Sequence, residues 1–137
     1  MPYVILGLSL VLYGLSLNPS ALLADEILPI AKIMERPADY QAKVVTVQGR
    51  AGDVTELPPR FKVHRCAGGA VYDAQLFMLQ DKSGSIQVGV AGVCKPGAMQ
   101  LVVEGERLRI RGVVVADEQD PLGVPIIYAD AIDRVKP

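Results

Sequence analysis

The chain has 137 residues, with 14 Lys and Arg against 15 Asp and Glu, one His, two Cys and a formal net charge of -1. Every charged side chain lies at or after Asp25, so an apolar leader of residues 1–24 precedes a body the size of one small domain, which excludes a multidomain enzyme. Near-neutrality and a pI near 5.8 exclude a dedicated duplex-DNA binder, which needs a basic surplus to displace counterions from phosphate, and the 50% hydrophobic content, raised by the leader, does not signal a polytopic membrane protein.

Residues 3–17 read YVILGLSLVLYGLSL, followed by the breaker Asn18-Pro19 and a short stretch ending at Ala24. This is the layout of a secretory signal peptide; it predicts cleavage after Ala24 and an exported, periplasmic body, residues 25–137. No Lys or Arg precedes the apolar run, so the signal is atypical or begins further upstream. The alternative is an uncleaved anchor formed by residues 3–24, close to the roughly 20 residues that span hydrocarbon, and the membrane is then touched only through that segment. No Cys lies near the run, so a lipid-modified terminus is not expected. Export also decides how Cys66 and Cys94 are read: in an oxidising compartment an even cysteine count predicts a disulfide. Closing a loop of this length stabilises a domain by about 3 kcal/mol through the unfolded state.

In the body, Ile27, Ile30, Ile33 and Met34 fall at helical spacing before Pro37 and predict a short helix or an extended lead-in, with Pro29 tolerated only in a first turn. From Lys43 the period changes to two, and residues 44–50 predict a strand that runs on toward Val54. Leu57-Pro-Pro-Arg60 breaks the pattern. Residues 55–73 therefore form a long excursion containing Cys66, Gly68 and Gly69, with a short strand expected at 61–65. Strands at 74–80 and 85–93 flank the turn Asp81-Lys-Ser-Gly84. With a hairpin centred on Lys82-Ser83, position 94 falls opposite about position 71, which brings Cys94 toward Cys66. A fourth strand follows at 107–116 and a fifth at 124–135, after the turn Asp120-Pro-Leu-Gly, while the connector 96–106 has room for one or two helical turns at most.

Five strands in this order without a long helix predict an all-β fold, a small closed antiparallel barrel, because closure removes the edges that an open sheet of five strands exposes. Pro37-Ala-Asp-Tyr40 leading into Lys43-Val-Val-Thr-Val-Gln-Gly49, then Phe77-Met-Leu-Gln-Asp81 with Ser83-Gly-Ser-Ile-Gln-Val88, then Glu104-Gly-Glu-Arg-Leu-Arg-Ile-Arg-Gly112, resemble the OB-fold, and in particular small exported bacterial OB-fold proteins. The resemblance covers residues 37–135 and implies a five-stranded Greek-key barrel preceded by the short helix or lead-in. Its motifs are those of a fold. OB-folds bind oligonucleotides, sugars, peptides and proteins, so the family leaves the ligand open.

Two basic stretches are the candidate binding residues. Arg60-Phe-Lys-Val-His-Arg65, if extended, puts Arg60, Lys62 and His64 on one side and Phe61 on the other, in a loop that borders the binding face of an OB-fold; the plainer alternative is a solvated loop whose Phe tucks into the barrel. Arg107, Arg109 and Arg111 alternate with apolar residues and face outward as a cationic stripe, to meet phosphate or carboxylate, or to pair with Asp130 and Asp133 on the fifth strand. The aromatic residues of the body are Tyr40, Phe61, Tyr72, Phe77 and Tyr128, with Tyr72 beside the loop and Phe77 expected in the core. Few platforms and no basic surplus make single-stranded nucleic acid the less favoured partner. His64, Cys66 and Cys94 form an alternative soft-metal ligand set at a spacing that is not a recognised zinc pattern, and the disulfide needs fewer assumptions, so no metal and no cofactor is expected. One His and no nucleophile motif argue against an enzyme. The sequence thus predicts a non-catalytic, exported binding module that contacts an envelope protein or a small ligand through the 55–73 loop and the outer faces of the second and third strands.

Overall fold

A computed structural model describes residues 26–116 and 123–136; the leader, and with it the signal peptide or anchor, lies outside the described residues. Helix α1 spans Ile30–Glu35 and is followed by a 3-10 turn at Pro37–Tyr40. The strands are β1 at Val44–Glu56, β2 at Gln75–Gln80, β3 at Ser85–Val90, β4 at Arg107–Val115 and β5 at Ile126–Arg134. They close into a barrel in the order β1-β2-β3-β5-β4. The all-β, five-stranded Greek-key barrel expected from the sequence is what the chain forms.

The β1 strand is longer than its alternation predicted because it serves two neighbours, β4 through Val44 to Arg50 and β2 through Arg50 to Glu56. A bulge between Gly52 and Thr55 bends it around the barrel, with Asp53 at φ 49°. The Glu104 carboxylate accepts the N–H groups of Asp53 and Val54 there, at 2.9 and 3.0 Å. Closure is not wholly antiparallel. β5 returns after the 91–106 connector and β4, so it meets β3 in the same direction and pairs Gln87, Val88 and Gly89 with Ile126, Ile127 and Tyr128. The connector carries no helix.

Alternation fills the core as the sequence implies: Phe77 and Leu79, Ile86 and Val88, Leu108 and Ile110, Val47 and Ile127 all point inward and are buried. Ile30 and Ile33 of α1 join them, so the lead-in acts as a helical plug of the barrel. This helix has no side-chain N-cap of its own, because Pro29 precedes it. The β2–β3 turn supplies one from 51 residues away: Asp81 Oδ2 accepts the Ile30 N–H at 3.0 Å, and Ser83 Oγ accepts the Ala31 N–H at 3.0 Å. One buried polar residue, Gln75, ties the connector to β2 through the main chain of Val102.

Candidate binding groove

The loop from β1 to β2, residues 57–74, is pinned along its length. The Leu57 N–H donates to the Ala74 carbonyl at 2.9 Å, and Arg60 and Val71 exchange two main-chain bonds of 3.1 and 2.8 Å. Beyond them Val63 N–H donates to the Gly69 carbonyl at 2.9 Å, closing a turn that contains the 3-10 segment His64–Cys66. Tyr72 and Val93 exchange two bonds of 2.8 Å, which extends the β2–β3 pairing past the strand ends. A disulfide joins Cys66 to Cys94 with their Cα atoms 5.4 Å apart, and Arg65 Nη2 donates to the Gly92 carbonyl at 2.8 Å. The loop is thereby fastened to the chain that follows β3.

This geometry corrects two sequence readings and bears out the expected disulfide over its metal-binding alternative. Residues 61–65 are not a strand, because Lys62 and Ala67 take left-handed conformations (φ 58° and 53°) and the chain turns back, so Arg60, Lys62 and His64 do not share one extended side. Phe61 does not tuck into the barrel; it is 74% exposed. With the two sulfurs bonded to each other, neither is a thiolate, and the His64, Cys66, Cys94 metal set loses two of its three ligands.

Between this loop wall and the outer faces of β2, β3 and β5 runs a groove of about 490 Å³, lined by Arg60 and Arg65 on the loop and by Leu76, Gln87, Ile126 and Tyr128 on the strands. Tyr128 is 49% exposed. Its ring lies over Gly89 so closely that a methyl group at that glycine would sit 3.2 Å from ring atoms Cδ1 and Cε1. The parallel β3–β5 seam sets Gly89 opposite Tyr128, which fixes the ring on bare backbone as a platform. An aromatic face, an apolar strip and two guanidinium groups make a surface suited to a ligand with an apolar or aromatic body and an anionic or carbonyl group.

Of the sequence candidates, Arg60 and Arg65 line the groove, Tyr72 is half-buried in the bridge to Val93, and Phe61, Lys62 and His64 are exposed on the loop. Arg107, Arg109 and Arg111 do face outward on β4, as alternation requires. They are not held by the acids expected. Arg109 sits in register with Asp133, yet its Nε and Nη2 both donate to Gln48 Oε1 at 3.1 Å. The register shift between Arg111 and Gly112 leaves Asp130 opposite no residue of β4. Among the described residues the ion pair is Arg134 with Glu106, at 3.2 Å. Leu76 and Gln87 lie on the outer faces of the second and third strands, where the sequence reading placed binding, whereas Ile126 and Tyr128 as groove residues escaped it, since only the long-range parallel seam brings β5 beside β3.

No protein-family model and no curated protein matches the sequence. Among solved structures the chain is similar to an aspartyl-tRNA synthetase from Entamoeba histolytica, at 17% identity and a TM-score of 0.55 over 81% of this chain and 21% of that one. It is also similar to an asparaginyl-tRNA synthetase from Pyrococcus horikoshii (16% identity, TM-score 0.48, 72% of this chain and 21% of that one). A third similarity is to the hypothetical protein ygiW from E. coli (15% identity, TM-score 0.49, 80% of this chain and 90% of that one). The chain spans about a fifth of the length of the synthetases it matches. The strand order, the closed barrel and the Entamoeba likeness define the fold: the chain forms a five-stranded OB-fold barrel. The disulfide suits an oxidising compartment, and among the described residues no helix is long and apolar enough to cross a membrane.

Proposed function

We propose that the protein is an exported, non-catalytic binding module of the cell envelope, with residues 1–24 as its signal peptide and residues 25–137 as the OB-fold domain, and that a protein partner or a small ligand seats in the groove between the 57–74 loop and β2, β3 and β5. The observation that carries this reading is the fixed pairing of the Tyr128 platform with a loop wall tied down by the disulfide and the Arg65 to Gly92 bond. A wall already ordered in the free protein spares the ligand the entropy of ordering it. The test is affinity capture from the native envelope fraction with wild-type protein and Tyr128→Ala side by side, together with the mass of the mature N-terminus. A partner recovered by the wild type and lost from the variant is expected, with a chain starting at Asp25. Equal recovery by both proteins sinks the groove assignment, and a chain that retains residues 1–24 sinks the cleavage.

A second reading, single-stranded nucleic acid, is favoured by one observation: Arg60 and Arg65 line the same groove as the Tyr128 ring, which is how cations and a stacking surface are combined for a strand. The net charge of -1 weighs against it. Retardation of a generic oligonucleotide at low salt, abolished by Tyr128→Ala, would favour this reading over the first; no retardation removes it.

A further inference from the structure

On a different part of the barrel, β1 and β4 set Arg50 directly opposite Arg107. Like charges in facing cross-strand positions repel, so a sheet gains nothing from this pair unless something anionic lies between them. Both side chains, with Lys82 from the β2–β3 turn, line an open concavity of about 500 Å³. Asp81 lines the concavity as well, but its carboxylate and those of Glu104 and Glu106 are engaged by other donors. Asp81 Oδ1 accepts the Ser83 N–H, Ser83 O–H and Gly84 N–H at 2.7, 2.6 and 3.0 Å, while its Oδ2 holds Ile30. Glu106 takes the Val103 N–H at 2.6 Å and the Arg134 guanidinium at 3.2 Å, and Glu104 serves the β1 bulge.

The cations, by contrast, keep donors to spare. Arg50 spends one N–H, from Nη1, on the Gly105 carbonyl at 3.2 Å. The side chains of Arg107 and Lys82 have no hydrogen-bond or ion-pair partner among the described residues. On the rim, Gln48 uses its carboxamide oxygen for both Arg109 bonds, which leaves its amide N–H groups for an acceptor. Gly49 also lines the concavity, and a Cβ there would run into the Gln80 carbonyl, so the backbone at this point stays bare.

We infer that this concavity is an oxyanion site that takes a phosphate group, separate from the groove. Two guanidinium forks match phosphate oxygens pairwise and Lys82 adds a point charge, an array of donors that the several oxygens of a phosphate group use more fully than a single carboxylate does. The group can arrive as a soluble phosphate or as the headgroup of an anionic phospholipid, and two arms separate these sources. In the first, the full chain is titrated with pyrophosphate at low ionic strength and followed by calorimetry and amide NMR shifts. In the second, it is sedimented with phosphatidylcholine vesicles with and without phosphatidylglycerol.

For a soluble phosphate, shifts are expected at Gln48, Gly49, Arg50, Lys82 and Arg107. Affinity should fall at least tenfold in Arg50→Gln/Arg107→Gln, fall less in Lys82→Gln, and stay unchanged in Lys95→Gln, whose residue lies outside the concavity. Sedimentation that requires phosphatidylglycerol and is lost in the double variant identifies the headgroup as the source. The substituted side chains are exposed, so the double variant should unfold at the parent's temperature or above it, relieved of its own repulsion. Failure of both probes to bind, or binding by the double variant as tight as the parent's, overturns the site.

Discussion

Gln75 and Val102 face each other as two strands would: the Gln75 carboxamide donates through Nε2 to the Val102 carbonyl at 3.0 Å and accepts the Val102 N–H on Oε1 at 2.9 Å. Both residues are buried, so the side chain stands in for a missing strand and satisfies two main-chain groups that water cannot reach. This is why the 91–106 connector needs no helix or ladder of its own at that point.

Gln75→Leu preserves bulk and strands both main-chain groups of Val102 without a partner. It should cost about 2 to 4 kcal/mol, a large share of a small domain's stability, measurable as a lower urea midpoint. Gln75→Glu should be worse near neutral pH, where a buried carboxylate faces the Val102 carbonyl, and should partly recover in acid as the carboxyl regains a donor. Loss of less than about 0.5 kcal/mol in Gln75→Leu would mean that the connector finds other partners.

The cap that Asp81 supplies to α1 makes stability depend on acid. Partial burial alone would raise the pKa of this carboxyl, but the bonds from the Ser83 hydroxyl and from the N–H groups of Ile30, Ser83 and Gly84 outweigh it and hold the pKa below its ordinary 3.8. A folded-state value below the unfolded one means stabilisation that is present above 3.8 and disappears as pH falls through the depressed folded value. Asp81→Asn should lower stability near pH 6 by about 1 kcal/mol and remove this part of the acid loss. Urea melts of both proteins between about pH 6 and pH 2 check it, and parallel curves would sink the assignment.

The strands were legible because each carries its burial in its alternation, as in β4, where arginines and apolar residues take turns outward and inward. The β2–β3 register was legible too, from the turn residues alone: counting outward from Lys82-Ser83 sets 94 opposite 71, and the structure pairs Tyr72 with Val93 on the same diagonal. The 57–74 loop was not, because its path is decided by partners remote in sequence, Val93, Cys94 and Gly92, while its own residues announce only a break. The partners of the arginine row were hidden for a related reason. A bulge beside Gly112 leaves no trace in a period-two pattern, yet it moves Asp130 out of register, and the role of Gln48 depends on a pairing with β4 that spans 61 residues. The aromatic platform of the groove shares this fate, since it exists only where β5 lies alongside β3, while the other borders of the groove, the loop and the outer faces of β2 and β3, were legible.

The disulfide should matter more to the loop than to the barrel. It closes a separation of 28 residues, for which the unfolded-state argument gives about 3 kcal/mol. Yet Cys66 and Cys94 both lie outside the strands and outside the core cluster, so the barrel has no packing to lose. Cys66→Ser/Cys94→Ser should therefore melt lower but keep the β-sheet signal. Faster amide exchange should be confined to residues 57–74 and the segment after β3. Uniformly faster exchange across β1 to β5 would show that the bridge is integral to the barrel.

Gly89 should be a sensitive lever on the groove. The residue faces outward on β3, and the Tyr128 ring with the Ile126 side chain occupies the space a Cβ would enter, at 3.2 and 3.3 Å. A methyl group at that distance forces the ring to give way by a few tenths of an ångström, and a branched side chain forces it off the strand altogether. The core side of β3 is untouched, since Val88 and Val90 point the other way. Gly89→Ala should therefore change the fold's stability by about 1 kcal/mol or less, whereas Gly89→Val should displace the ring and weaken ligand capture as strongly as Tyr128→Ala does. Aromatic NMR shifts of Tyr128 report the displacement directly. Capture that survives Gly89→Val with the ring demonstrably moved would show that the platform is not what the partner touches.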